Sequence, residues 1–124
     1  MNKSKSTRGL TVAAIILISL ILLTLANVLI CDRAITEIAE DAKSISIGDT
    51  EKAETLKKDF RRAAFFLSIT VNHDDIDEAH AELIELVCVA KSGDPTALDI
   101  AKSRLIAALD QLKRLSGIGI DSII

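Results

Sequence analysis

The alternation of hydrophobic and polar positions divides this chain into two unequal parts. Residues 9–31 carry no charge, and within them residues 10–30 form an apolar run broken only by Thr11, Ser19, Thr24 and Asn27. Coiled as a helix at ~1.5 Å per residue, that run covers about 31 Å, close to the thickness of a bilayer's hydrocarbon core. Its hydroxyls can return hydrogen bonds to their own helix at little cost in lipid, and Asn27 lies near the far end. Beyond it the apolar positions recur with a period near 3.6, which predicts helices throughout.

Four helical segments result. The first continues the apolar run through Ala34, Ile35, Ile38, Ala39, Ala42 and Ile45 and stops at Gly48, a residue suited to a helix C-terminus. Asp49 is the expected N-cap of a second helix reaching about Val71, with Leu56, Phe60, Ala63, Ala64, Leu67 and Val71 inward and Phe65, Phe66 and Ile69 widening that stripe. Residues 72–75 prefer caps to helix interiors, and Asp75 with Glu78 resembles a capping box. A third helix is therefore expected from Ile76 to Ala90 or Lys91, with Ile76, Ala79, Leu83, Leu86, Val87 and Ala90 inward. Gly93, Asp94 and Pro95 supply a helix end, an N-cap and a first-turn proline in succession. A fourth helix then runs to Leu115 on Leu98, Ala101, Leu105, Ala108, Leu109 and Leu112, after which Ser116 and Gly117 release a tail. Short connections force antiparallel neighbours, so the fold class is all-α: an N-terminal transmembrane helix followed by a small antiparallel helical bundle. The expected division is a basic N-terminus at 1–9, the span at 10–30, the bundle at 31–115 and an Ile-rich tail at 116–124.

Composition agrees. A chain of 124 residues suits one small domain, and its 2% aromatic content, single Pro and five Gly leave little of what an all-β fold needs. Charge is segregated: Lys3, Lys5 and Arg8 precede the run, while residues 32–124 hold all 18 acids and 12 of the 15 bases, a net of −6. Three bases before the span place the N-terminus in the cytoplasm and the bulk outside the cell membrane. Three other fates for the segment compete with a retained anchor. The small residues at 24–26 allow signal-peptide cleavage after Ala26, against which the run stays apolar through Ile30. A buried helix of a water-soluble domain would normally show a polar face, which this run lacks. A lipid anchor on Cys31 lacks the small residue normally required before it.

Leu56, Phe60, Leu67, the Asn72–His73 pair, Ile76, Asp77 and Leu83, followed by a short polar turn and a closing amphipathic helix with an Ile-rich end, form a more specific pattern. It resembles a bacterial family of domains of unknown function (number 4363), with Phe60 standing where that family carries Trp. The resemblance covers residues 32–124 and singles out Asn72, His73 and Asp77. It implies a small single-span membrane protein of Gram-positive bacteria with a helical outer region, and it implies no activity.

Candidate chemistry is sparse. His73, Asp77 and His80 fall at i, i+4 and i+7, so a helix beginning early enough would put two imidazoles and a carboxylate on one face, where they could bind a divalent metal. The competing reading leaves Asn72 and Asp75 as caps, His73 bonded to a neighbouring helix and His80 in solvent. Lys57, Lys58, Arg61 and Arg62 form a basic patch suited to anionic headgroups or wall polymer, unless acids of the third helix neutralise it. Cys31 and Cys88 are too far apart in this layout for a disulfide and are expected as buried thiols, with Cys31 an alternative cross-link between parallel membrane helices. No nucleophile elbow, phosphate loop or zinc-protease motif occurs, so no enzyme and no cofactor are expected; the acidic outer part excludes nucleic acid as a partner. The expected role is a non-enzymatic contact module at the outer membrane face, touching membrane lipid and binding itself or an envelope protein. Phe65, Phe66, Ile120, Ile123 and Ile124 exceed what a narrow stripe buries and are its candidate contact residues. The alternative is an extracytoplasmic metal or ligand sensor built on His73, Asp77 and His80.

Overall fold

The computed structural model of the protein describes residues 2–123, with side-chain surroundings for residues 6–117. Four helices account for nearly all of it: α1 (Asn2–Lys43), α2 (Thr50–Leu67), α3 (His73–Ser92) and α4 (Pro95–Ile123). No strand occurs among the described residues. Each helix packs on the two beside it in a ring α1–α2–α3–α4, the up-and-down arrangement that the short connections require.

α1 has two environments. Its second half is a wall of the bundle, burying Val28, Cys31, Ile35, Ile38 and Ala42. Its first half projects with Leu10, Ile15, Leu17, Leu20 and Leu23 all exposed. This helix is long and apolar enough to cross a membrane, and only 17% of its most apolar window is buried within the chain. The rest of the chain leaves that stretch largely uncovered. The hydroxyls of Thr11 and Thr24 donate to the carbonyls of Thr7 and Leu20, each at 2.8 Å, which satisfies them within the helix.

The inward stripes form one core. Ala53, Leu56, Phe60, Ala63 and Leu67 of α2 meet Ile76, Ala79, Leu83, Leu86, Val87 and Ala90 of α3, and Leu98, Ala101, Leu105, Leu109 and Leu112 of α4. Gly48 and Gly93 adopt φ of 89° and 85°, a left-handed backbone that strains other residues, and so turn the chain at the two ends farthest from the projecting helix. The Gly48 N–H donates to the Ala90 carbonyl at 3.1 Å, fastening the first turn to the end of α3. Asp94 caps α4, its carboxylate accepting from the N–H groups of Thr96 (3.0 Å) and Ala97 (3.4 Å).

Several boundaries differ from the sequence reading. Asp49 does not cap α2 with its side chain; its carboxylate turns back to accept from the Ser46 N–H at 2.9 Å. α2 ends at Leu67 rather than Val71, although Val71 is still buried. α3 begins at His73 rather than Ile76, because the Asn72 side chain accepts from the Asp74 N–H and does the capping assigned to Asp75. Asp74 and Asp75 then lie in the first turn, where the helix dipole favours acids. The break at Ser116 and Gly117 does not form: α4 continues to Ile123, so the tail is the last part of a helix. Gly117 lacks a left-handed φ, and Ser116 is buried with its hydroxyl donating to the Lys113 carbonyl at 3.0 Å.

If this ring of stripes carries the stability, Leu105→Ala should cost about 2–5 kcal/mol. The exposed neighbour Ile100→Ala should change it by under about 0.5 kcal/mol. Chemical denaturation of the full chain in detergent followed by circular dichroism measures both.

Candidate functional site

Because α3 starts at His73, the face proposed for His73, Asp77 and His80 does exist. These three line a shallow recess of about 270 Å³ together with Phe60, Arg61, Ala64 and Ile76. The His80 ring stacks on Phe60 with centroids 5.8 Å apart and planes 16° from parallel, so His80 is half-buried rather than a solvated surface residue. Its Nε2 is buried without a hydrogen-bond partner. His73 is exposed and makes no bond to a neighbouring helix among the described residues. Sharing a face does not make a binding site, however. Among the described residues no group of three or more His, Cys, Asp or Glu side chains comes together closely enough to hold a metal ion.

A second constellation lies at the foot of the bundle, where α2 ends against α1. The Asn27 side-chain amide is buried and donates to the Phe66 carbonyl at 3.3 Å, a last-turn carbonyl of α2 that also accepts from the Ile69 N–H at 3.3 Å. This is the role that sequence reasoning missed. The signal was present, since a lone amide in an apolar run needs a partner and so marks where another element meets the helix. The bond fixes the level: the last turn of α2 stands beside residues inside the uncharged run, not above it. Ile69, three residues past Phe66, comes level with the Thr24 region, about 10 Å short of Cys31 at ~1.5 Å per residue.

Exposed apolar side chains gather at this foot. Phe65 and Ile69 are 70% and 67% exposed, Phe66 is 38% exposed, and the two Phe rings pack edge to face at 5.5 Å. A cleft of about 590 Å³ runs between α1 and α2, walled by Leu20, Leu23, Asn27, Ile30, Phe66 and Ile69. Directly above it a narrower stretch of the same seam, sharing Ile30 and Phe66, is lined by Arg62, Glu37, Asp41 and Asp59. The other contact candidates, Ile120, Ile123 and Ile124, have side chains outside the described residues.

None of Lys57, Lys58, Arg61 and Arg62 is in an ion pair with α3 or any other element among the described residues, and the neighbouring charge that Lys57 and Lys58 do meet is that of Glu54 on their own helix. The pairs instead stitch helices together elsewhere. Lys91 reaches Glu54 at 3.1 Å, and Lys113 reaches Asp32 at 3.5 Å and the Thr36 hydroxyl at 3.3 Å. The hydrogen bond and charge of Lys91 hold the Glu54 carboxyl below its ordinary range. That small stabilisation is present above the usual carboxylate pKa and fades as pH falls through the lowered value. Lys102 donates to the Lys43 carbonyl at 3.1 Å at the end of α1.

The two cysteines part company. Cys31 is fully buried in the bundle core, whereas Cys88 is exposed on α3, which corrects the expectation that both are buried. The burial of Cys31 also rules out a cross-link to a second copy through that thiol while the bundle is folded. No family model, no curated protein and no solved structure matches the chain.

Two outcomes follow from this arrangement. A maleimide should modify Cys88 in the folded protein and reach Cys31 only on denaturation, as read by mass spectrometry of peptides; equal rates would contradict the burial of Cys31. Zinc should leave the melting temperature of the full chain unchanged, whereas a rise abolished by His80→Gln would show that the recess closes on a metal.

Proposed function

We propose that this protein is a single-pass, membrane-anchored helical module that works by contact at the outer face of the cell membrane, with residues 1–9 in the cytoplasm. One observation carries the reading: α1 runs without a break from its exposed apolar half into the wall of the bundle. A helix shared in this way fixes the height and tilt of the bundle relative to the anchor. Such a construction serves a domain that must be presented in one orientation to a neighbour. The three bases before the run support the orientation.

The contact surface in this reading centres on Phe65, which faces away from the core on the outer ridge of α2, and on the isoleucines at the end of α4. The resemblance to family 4363 belongs to the same proposal and rests on the sequence pattern alone. Membership would bring the topology and no activity.

A second reading, an extracytoplasmic sensor, draws on the unpartnered Nε2 of His80 in the recess beside Phe60. Its ligand would be a small molecule donating a hydrogen bond to that nitrogen or accepting one from it.

The test uses the native Cys88 and a photocrosslinker at position 65 in intact cells. The proposal expects a membrane-impermeant maleimide to label Cys88 from outside and position 65 to crosslink one defined neighbour. Labelling only after the membrane is opened would reverse the topology. Outside labelling without any crosslink at position 65 would remove the contact role.

A further inference from the structure

We infer that the seam between α1 and α2 is a seat for one phospholipid of the outer leaflet, with an acyl chain in the lower cleft and the phosphate on Arg62. The inference rests on the membrane-anchored reading and deepens it. Three observations lead to it.

The first is continuity. The cleft's α1 wall, Leu20, Leu23 and Ile30, belongs to the exposed apolar run, so whatever solvent covers the projecting half of α1 also fills the cleft. Its other wall is Phe66 of α2 with Ile69 and Thr70 just beyond that helix; the Thr24 hydroxyl donates to the Leu20 carbonyl and the Asn27 amide to the Phe66 carbonyl, and the Thr70 side chain lies at the rim. A slot lined mainly by apolar side chains suits a hydrocarbon chain.

The second is length. Counting up to the first buried residue, Asn27, the uncharged helix runs from 9 to 26 and covers roughly 27 Å, a little less than the ~30 Å core. The outer leaflet therefore reaches the Asn27–Phe66 level, and the foot of α2 enters the boundary between acyl chains and headgroups. Acids limit the depth. The Phe60–His80 stack sets α2 against α3 so that Asp74 and Asp75 stand near the level of Phe66, and their carboxylates belong among hydrated headgroups.

The third is charge. Arg62 lies one turn above Phe66 on the same seam, exposed and held by no ion pair among the described residues, although Glu37, Asp41 and Asp59 also line that stretch. A guanidinium one helical turn above an aromatic ring at an apolar slot matches a phosphate above an acyl chain, and its fork binds phosphate oxygens in pairs.

The chain has no Trp, which makes a depth measurement direct. Full-length Leu17→Trp, Ile69→Trp and Ile100→Trp, each in vesicles of phosphatidylcholine and phosphatidylglycerol with brominated acyl chains, report the span, the cleft and the far end of the bundle. The expected result is loss of emission at positions 17 and 69 and none at 100. Loss at 17 without loss at 69 overturns the lipid seat and leaves the anchor standing, and a crosslink from 69 to a second copy does the same. No loss at 17 overturns the anchor and the seat together. Arg62 is tested by native mass spectrometry of the chain released from those vesicles. Wild type should retain one phospholipid, Arg62→Gln should lose it and Arg62→Lys should keep part; equal retention in Arg62→Gln overturns the phosphate contact.

Discussion

One helix serves two surroundings, and everything else is arranged around that. A helix bonds its own backbone groups in any solvent, so α1 can pass from an apolar, uncovered stretch into a packed core without a turn that would strand peptide groups. What changes along it is only the side chains: an uncharged, mainly Leu and Ile run before Asn27, then a stripe of Val28, Cys31, Ile35, Ile38 and Ala42 against α2 and α4. Lys43 and the turn at Gly48 end it once the core has been reached.

The bundle is closed by polar contacts placed where the stripes cannot help. Gly48 bonds to the end of α3, Lys102 bonds to the end of α1, and Lys113 bridges α4 to Asp32. These exposed pairs contribute little singly, and their value is register: they hold α4 antiparallel to α1 with Lys102 beside Lys43 and Lys113 beside Asp32. In that register the continuation of α4 past Ser116 runs level with the apolar part of α1. Asn27 plays the matching part for α2, and it is the one place where the apolar run spends an amide. The foot is therefore built from elements that each end, or continue, at the same height.

The stripes were legible because they depend only on period. Ile76, Ala79, Leu83, Leu86, Val87 and Ala90 are buried as the 3.6 repeat requires, and Gly93, Asp94 and Pro95 punctuate α3 and α4 where their chemistry demands. The misplaced boundaries share a cause: capping residues compete, and a sequence does not say which wins. Asn72 took the cap that Asp75 also fits, which drew His73 into the helix, and Asp49 spent its carboxylate on Ser46. Ser116 and Gly117 read as a break because neither favours a helix interior, yet burial of Ser116 and its bond to Lys113 keep the helix going. Cys88 was misread for a different reason: it sits beside the inward Val87 but on the outer side, and a thiol fits either. The recess was legible as a face but not as a site, since spacing along one helix does not bring side chains together in space.

The continuity of α1 is the claim on which anchor, bundle height and foot all rest, and amide hydrogen exchange of the full chain in lipid nanodiscs tests it most directly. A single rigid helix predicts slow exchange without interruption from the middle of the apolar run through Ala42, including residues 26–36 where the surroundings change. A group of fast-exchanging amides between Ala26 and Ile35 would mean a hinge there, with the bundle free to swing on its anchor, and would contradict the account.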